Sequence, residues 1–494
     1  MIYKTIASFA LLLIFLDACT KKDTKGDEKL AQTHCGSCHE FPKPELLDKN
    51  NWEKVLPKMA LFLGITNKLA PRDSISPIEK NAIPTKPTLS EDEWQRIKDY
   101  YISQAPYRLN FPLSSTTEPL SNLFKIKSSS AYSGRMPNVS CIKIDSASKS
   151  IFVCDEINRE IWVLDKDGIP KNQFRNQSAV SDLQISKNNL LIIYIGNVID
   201  PSVSHHGSVA LMDSDNEQKT ETLLTNLYRP TQSLTVNLDE NPDLELVTNE
   251  FGVLNGTLAI WKKKGTTFDK IILENSPGAI KTIPIDLDKD GKTDLVTLFG
   301  QGDERVVWYK NNGNLNFTPT TLLRFPPVYG SSSLELTDFN KDGLTDIIYT
   351  AGDNSDYSIE LKPYHGVYIF ENQGKNNFKQ TFFYHINGAY KALARDFDND
   401  GDIDIATIAF YVDYFEKTPK DFVFFENKGH ELVARSFDIK AYGRWLVMDA
   451  GDVDGDGDLD IVLGNHPLGK TPGTLLKDWV NSKNALLLIN QTKP

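Results

Sequence analysis

The chain has 494 residues, enough for two or three domains that each bury a hydrophobic core. Its formal net charge of −12 argues against a general nucleic-acid-binding protein. Much of the acidic charge lies in short Asp-rich clusters rather than along a solvated face. This pattern favours cation binding.

The N-terminus has the pattern of an export signal. Its apolar run, Ile6–Leu16, is too short to span a bilayer comfortably but has the length of a signal peptide. Cys19 follows Leu-Asp-Ala, which resembles the lipobox of bacterial lipoproteins. That resemblance implies a signal peptide over residues 1–18, lipidation of Cys19 and a tether over 19–26. An ordinary secretory signal is the alternative.

Residues 35–39, Cys-Gly-Ser-Cys-His, form the C-x-x-C-H pattern of c-type haem attachment. The spacing allows Cys35 and Cys38 to add to the two haem vinyl groups while His39 coordinates the iron. A zinc site would need two more Cys or His ligands nearby, and a redox dithiol would follow a strand of a larger α/β unit. The sequence around the motif supports neither. Met59 is the candidate second axial ligand by elimination, with a core methionine as the alternative.

Helical signals surround this motif. Ser90 and Glu93 form a capping box, followed by an apolar stripe of helical period that ends before Pro106. Residues 27–106 therefore resemble a small class I cytochrome c domain, and the resemblance implies an all-α fold with one haem. Residues 107–117 are rich in Pro, Ser and Thr and are predicted to be a linker.

A repeat fills the rest of the chain. Four stretches share one template: "DLDKDGKTDLV", "DFNKDGLTDII", "DFDNDGDIDIA" and "DVDGDGDLDIV". Each has oxygen-bearing side chains at positions 1, 3, 5 and 9, glycine at position 6, and then an apolar β-like run. Three weaker copies precede them. The seven copies begin at residues 143, 184, 237, 286, 338, 396 and 452.

Units of this size with several short strands predict propeller blades. The last unit lacks an outer strand, and residues 122–128 form a spare strand before the first unit. We therefore predict that residues 118–494 form an all-β, seven-bladed propeller closed by that spare strand. The full fold-class prediction is a small all-α cytochrome c domain followed by this propeller.

The Asp-rich loops resemble the FG-GAP (VCBS-like) repeats of the integrin α propeller. In that family, calcium takes side-chain oxygens from positions 1, 3, 5 and 9 and the main-chain carbonyl of position 7. The resemblance implies about four structural Ca²⁺ sites, with acidic surface turns as the alternative. The copy at Asn237 has Pro242 instead of glycine and should bind weakly or not at all. The implied ligands are Asp286, Asp288, Asp290, Lys292 and Asp294; Asp338, Asn340, Asp342, Leu344 and Asp346; Asp396, Asp398, Asp400, Asp402 and Asp404; and Asp452, Asp454, Asp456, Asp458 and Asp460.

Two further groups of residues are candidates for chemistry. Pairing Ile144 with Ile151 across a hairpin would place Cys141 opposite Cys154, within reach of a disulfide. Buried thiols are the alternative. Basic and aromatic residues at shared offsets before the loops could form a ligand mouth for an anionic or sugar-like ligand, with solvated loop charge as the alternative. These are Arg135, Arg229, Lys281, Lys391, Tyr390, Tyr442 and Arg444.

The leading hypothesis is an envelope-anchored haem c electron-transfer protein whose calcium-stabilised propeller docks a redox partner or ligand. One alternative is an oxidoreductase that oxidises a sugar-like substrate at the propeller mouth. Another is an adhesin-like binding propeller. The sequence contains no defensible catalytic signature, which favours a carrier over an enzyme. The lipobox resemblance places the protein on a membrane, and Thr20 after the lipid site favours the outer membrane.

Overall fold

Each of the seven repeat units folds into a small antiparallel sheet. The computed structural model describes residues 24–65, 83–112, 116–120, 122–131, 134–186, 189–196, 205–214, 216–239, 241–354, 360–415, 419–429, 431–468 and 473–493. The predicted signal peptide and Cys19 lie outside these residues. The predicted seven-bladed propeller is confirmed, with inner strands that contact one another in a closed ring.

The first three blades each have four strands in chain order. Before them come β1 (Glu118–Pro119) and β2 (Phe124–Ser128). The blades comprise β3 (Val139–Asp145), β4 (Ser150–Asp155), β5 (Glu160–Leu164) and β6 (Pro170–Arg175); β7 (Ala179–Ser186), β8 (Asn189–Gly196), β9 (Gly207–Asp213) and β10 (Asn216–Leu227); and β11 (Pro230–Val236), β12 (Glu245–Glu250), β13 (Thr257–Lys264) and β14 (Thr267–Glu274).

Blades four to seven carry the strong Asp-rich loops between their first and second strands. Their strands are β15 (Ala279–Ile285), β16 (Asp294–Phe299), β17 (Arg305–Asn311) and β18 (Phe317–Arg324); β19 (Ser331–Thr337), β20 (Asp346–Ala351), β21 (Gly366–Asn372) and β22 (Phe378–His385); β23 (Ala389–Arg395), β24 (Asp404–Ala409), β25 (Phe422–Asn427) and β26 (Leu432–Ser436); and β27 (Trp445–Gly451), β28 (Asp460–Asn465) and β29 (Ala485–Asn490).

The spare strand closes the ring as predicted. Strand β2 pairs antiparallel with β29, with Ile126 opposite Leu488, and supplies the outer strand of blade seven. Strand β1 adds in parallel to the outer edge of blade six. The second strands of blades four to seven are buried along all six residues, which explains their nearly continuous apolar sequence.

The described residues contain four short α-helices. These are α1 (Thr24–Cys35), α2 (Lys49–Phe62), α3 (Glu91–Gln104) and α4 (Gly473–Trp479), with one 3₁₀ turn at Pro44–Leu46. The predicted capping box is confirmed, because Ser90 and Glu93 exchange both hydrogen bonds at the start of α3. None of the described helices has the length and apolar character that a bilayer span requires.

The first half of the predicted fold class is wrong. The described residues show a seven-bladed propeller with four short helices, and no all-α cytochrome domain is evident among them. Helices α1 to α3 share a hydrophobic cluster that extends to Val328 of the propeller, and the Tyr364 hydroxyl donates to the Leu46 carbonyl at 3.0 Å. The reason is physical: a haem motif and a capped amphipathic helix specify local helices, but not how those helices pack.

Candidate functional site

The four Asp-rich loops adopt one common turn. The backbone N–H of the glycine at position 6 donates to the position 1 carboxylate in every loop, at 2.9–3.1 Å. These glycines have φ from 84° to 93°, the left-handed region that the turn requires. Position 4 is also left-handed in all four loops, a requirement that sequence reasoning missed. The residues there are Lys289, Lys341, Asn399 and Gly455.

The position 9 aspartate ties each loop to the rest of its blade. It is fully buried in all four loops. One carboxylate oxygen accepts the backbone N–H of position 2, and the other accepts the N–H of the asparagine that ends the third strand. These contacts join Asp294 to Leu287 (3.2 Å) and Asn311 (2.7 Å), Asp346 to Phe339 (2.9 Å) and Asn372 (2.8 Å), Asp404 to Phe397 (3.1 Å) and Asn427 (2.9 Å), and Asp460 to Val453 (2.9 Å) and Asn490 (2.8 Å).

The asparagine that ends the third strand completes this connection. Its side-chain amide donates to the carbonyl of position 8, at 3.0–3.3 Å in the four blades. Its side-chain oxygen accepts a backbone N–H two residues later, at 2.9–3.0 Å. An Asn-x-Gly pattern marks three of these asparagines in the sequence: Asn311, Asn372 and Asn427. Asn490 lacks the following glycine, and only the structure reveals its equivalence.

Three of the loops gather carboxylates closely enough to hold one cation. The ligand oxygens of each group lie within 4.8 Å of one another, and the groups are Asp286, Asp288 and Asp290; Asp396, Asp398 and Asp404; and Asp452, Asp454 and Asp460. In the loop at Asp338, the amide of Asn340 stands at position 3 instead of a carboxylate. Burial, reinforced by neighbouring carboxylates, raises the pKa of both Asp404 and Asp460 to about 7.

Each loop also contains a buried carboxylate oxygen that lacks a hydrogen-bond partner among the described residues. These atoms are Oδ1 of Asp288, Asp338, Asp396 and Asp458. A buried, unpaired anionic oxygen is costly, and a hard cation would compensate it. The chemistry of the residues therefore fits calcium at these loops.

The loop at Asp286 differs because it already holds a positive charge. The Lys310 ammonium contacts the carboxylate of Asp288 and lies 3.3 Å from that of Asp290. The degenerate loop of blade three has the same arrangement, with Lys262 2.6 Å from Asp239. Both lysines lie near the ends of their third strands, so an internal ammonium supplies positive charge to the carboxylates of these two loops.

The haem motif lies at the end of α1. Cys35 is half-buried and Cys38 exposed, and both are free thiols. The His39 ring is half-buried, and its Nδ1 lies 2.9 Å from the Glu40 carbonyl oxygen. Its Nε2 has no hydrogen-bond partner among the residues described, which leaves that nitrogen available to a metal. Met59 is half-buried against the hydrophobic cluster of the three helices.

The two remaining cysteines face each other across the first hairpin of blade one. Cys141 pairs with Cys154 and Ile144 with Ile151, which confirms the predicted register. Both cysteines are buried free thiols in the structure. A hydrogen bond between the Cys154 and Cys141 side chains, together with burial, raises the pKa of Cys154 well above its ordinary value. The disulfide stays a prediction.

Two of the predicted mouth arginines are buried and bind backbone carbonyls. Arg444 donates to the carbonyls of Phe410 at 2.9 Å and Leu468 at 2.7 Å, and its guanidinium lies 3.7 Å from the Phe410 ring centroid. Arg229 donates to the Gly252 carbonyl at 2.9 Å. These two side chains anchor loops and do not form an open basic rim.

The other predicted mouth residues are distributed over different environments. Arg135 and Tyr442 are exposed, whereas Tyr390 is partly buried and interacts electrostatically with Arg229. Gly388 of blade six stands at the same distance before its loop as Arg135, Arg229 and Arg444 do before theirs; it has φ of 69°, and a Cβ there would lie 2.5 Å from the Tyr411 backbone. Of the three arginines, Arg229 shares this left-handed backbone, with φ of 46°. Lys281 and Lys391 are half-buried and belong to the inner strands β15 and β23.

The comparisons with known proteins give one family match and two similar solved structures. The FG-GAP-like repeat family matches residues 286–349, the region of blades four and five. No curated protein sequence matches the chain. A solved structure of the N-terminal domain of Nup159 is 11% identical, with 76% of this chain and 96% of that chain covered and a TM-score of 0.43. An S. cerevisiae complex of a Dbp5 variant with Nup159, Gle1, IP6 and ADP gives 11% identity, 76% and 98% coverage and a TM-score of 0.44. A β-propeller with FG-GAP-like repeats fits a ligand-binding role.

Proposed function

We propose that this protein is an electron-transfer protein of the bacterial cell envelope. It would hold one covalent haem c at residues 35–39 and use a calcium-stiffened propeller to dock a redox partner. The observation that carries this proposal is the geometry of the C-x-x-C-H motif: two free thiols at the end of α1 and an imidazole with only its Nδ1 engaged. The proposal does not require a separate cytochrome fold.

The residues of the motif have distinct roles in this proposal. Cys35 and Cys38 would hold the porphyrin through thioether bonds, and His39 would bind the iron through Nε2. Haem, when bound, supplies reversible one-electron chemistry. The Glu40 carbonyl holds the His39 ring through Nδ1 and thereby orients Nε2. Met59 is the proposed second iron ligand.

The propeller lies next to the haem motif and can act as the docking platform. His39 interacts electrostatically with Asp303 and Arg324 of blade four, which themselves form an ion pair at 2.6 Å. A partner that binds this part of the propeller would come close to the motif. We further propose that Cys19 anchors the chain to the outer membrane and that residues 19–26 tether it there.

Calcium would stiffen this platform. Three of the four loops bring three carboxylates together, and all four contain an unpaired buried carboxylate oxygen. A bound Ca²⁺ would relieve the repulsion and compensate the unpaired oxygens. The loops at Asp396 and Asp452 are the best candidates, because their carboxylates at positions 1, 3 and 9 are gathered and form no lysine ion pair among the described residues. In the Asp396 loop, Lys341 contacts the carboxylate of Asp402 at position 7, where the implied ligand is the main-chain carbonyl.

Haem attachment is tested by exporting the chain from a host that matures c-type haem. The native protein should retain haem stain after denaturing electrophoresis and show a reversible one-electron reduction. The variant Cys35→Ala/Cys38→Ala should lose the stain. The matched control Cys141→Ala/Cys154→Ala, which removes the other pair of thiols, should retain it. A native protein without covalent haem, made beside a loaded reference cytochrome, would overturn the proposal.

Electron transfer itself is tested by spectroscopy. Met59→Ala should remove the Met-type absorption band of the oxidised protein and lower its reduction potential, because a thioether ligand stabilises reduced iron. Reduction of the native protein by a sugar alone would instead support the oxidoreductase alternative.

Calcium binding is tested by thermal unfolding with Ca²⁺ or with EDTA. The melting temperature of the native protein should fall in EDTA. Asp396→Asn/Asp398→Asn should reduce that difference, whereas the control Asp239→Asn in the degenerate loop should leave it unchanged. If EDTA did not change the melting temperature of the native protein, and elemental analysis found no bound calcium, the calcium sites would be refuted. The proposed haem attachment would not be affected by this result.

A further inference from the structure

The inner strands of the propeller carry a cluster of charged side chains from six of the seven blades. The cluster comprises Lys143 and Asp182 of blades one and two, Lys281 and Glu335 of blades four and five, Lys391 and Arg395 of blade six, and Asp449 of blade seven. It contains four cations and three anions. Ionised in full, the cluster has an excess of one positive charge.

Most of these charges are paired across neighbouring blades. Lys143 lies 2.9 Å from Asp182, and Asp182 raises the pKa of Lys143 above its ordinary value. Glu335 accepts from both Lys281 at 2.6 Å and Arg395 at 2.8 Å. Burial alone would raise the pKa of Glu335, but these two cations lower it to about 2.

The carboxylate of Asp449 already has interactions with other groups of the protein. Its Oδ2 accepts the backbone N–H of Ile144 at 2.9 Å, which links blade seven to blade one. Asp449 also interacts electrostatically with Lys143 and Lys391, so the one carboxylate serves two lysines. It therefore does not neutralise Lys391 fully.

Lys391 is the member of the cluster for which no ion pair has been described. Within the described part of the chain, its ammonium makes no hydrogen bond and no ion pair. It interacts electrostatically with groups of blades one, four, five and seven, and only a position near the channel axis is close to all four. Burial and the repulsion of Lys143 lower the pKa of Lys391. Lys391 is nevertheless only half-buried, so the residue keeps some solvent-accessible surface.

We propose that the channel binds one small inorganic monoanion of halide size, such as chloride, at the Lys391 ammonium. The anion would balance the single excess charge and satisfy the one lysine that the protein leaves unpaired. Lys143 and Lys281 would add attraction, since both belong to inner strands and interact electrostatically with Lys391. This site lies apart from the calcium loops and the haem motif and does not depend on either.

Thermal unfolding of the full chain in saturating calcium tests the proposal. The native melting temperature should rise by about 1–3 °C when sodium gluconate is replaced by sodium chloride at constant ionic strength, because the anion binds the folded state. Lys391→Met should abolish this rise, and Lys391→Arg should retain it. The control is Lys127→Met. Lys127 lies on the outer strand of blade seven and is paired with Asp167, so its removal should also retain the rise in melting temperature.

Crystals grown in bromide provide an independent readout. An anomalous peak should lie about 3.2 Å from the Lys391 Nζ, the distance of a halide hydrogen bond slightly longer than an N–H···O contact. Identical melting in chloride and gluconate, or a chloride effect that survives Lys391→Met, would overturn the proposal. An acetate effect without a chloride effect would also overturn it and would indicate a site for carboxylate ligands.

Discussion

Asn490 should contribute more to the free energy of unfolding of the propeller than the equivalent asparagines that end the third strands of blades four to six. Its side chain is fully buried and makes four hydrogen bonds: to the carbonyls of Phe397 (2.7 Å) and Leu459 (3.0 Å), and from the backbone N–H (3.0 Å) and hydroxyl (2.7 Å) of Thr492. The bond to Phe397 crosses from blade seven to blade six. At about 1 kcal/mol net for each hydrogen bond, Asn490→Ala should lower the free energy of unfolding by about 4 kcal/mol.

Asn427 of blade six is the matched control. Among the described residues, its side chain makes two such bonds, to the Ile403 carbonyl at 3.1 Å and from the Gly429 N–H at 3.0 Å, so Asn427→Ala should cost about 2 kcal/mol. Both variants keep the backbone N–H that donates to the position 9 carboxylate. The assay is unfolding in guanidinium chloride with excess calcium, followed by tryptophan fluorescence. A loss below about 1 kcal/mol for Asn490→Ala, or a loss no larger than that of Asn427→Ala, would refute the reasoning.

Three further predictions concern single side chains. Lys310→Met should raise the calcium affinity measured by titration calorimetry, because it frees the carboxylates of a loop that has the required glycine. Lys262→Met should leave the calcium affinity unchanged, because its loop lacks that glycine. Equal effects of the two substitutions would contradict this account. Asp421→Asn should leave the free energy of unfolding unchanged near pH 4 and raise it above pH 7 by on the order of 4 kcal/mol. The reason is that burial raises the pKa of Asp421 to about 7, so the charged form of its carboxyl destabilises the folded protein. A variant-minus-native difference that is flat from pH 4 to 8 would rule out the effect. Gly388→Ala should lower the melting temperature or prevent folding, because the new Cβ would lie 2.5 Å from the Tyr411 backbone. In the control Gly291→Ala the new Cβ meets no atom within 4 Å, so the substitution should lower the free energy of unfolding by only about 1 kcal/mol. Equal losses in the two variants would show that crowding is not the cause.

The sequence alone determined the parts of this protein that depend on local chemistry. The Asp-rich template, with its glycine at position 6, defined the loops, their period and the blade count. The register of the first hairpin and the capping box at Ser90 were also predictable, because each depends on residues close in the chain. The strand at 122–128 could be assigned to the last blade because the last unit visibly lacked one.

Only the tertiary structure decided which distant groups meet. Arg229 and Arg444 looked like ligand residues in the sequence, but the fold buries them against backbone carbonyls. The helices around the haem motif do not form an evident cytochrome domain, because amphipathic patterns fix a helix but not the surface on which it packs. The unpaired charge of Lys391 became visible only when six blades met around one axis, since no local pattern records which carboxylates remain for which lysines.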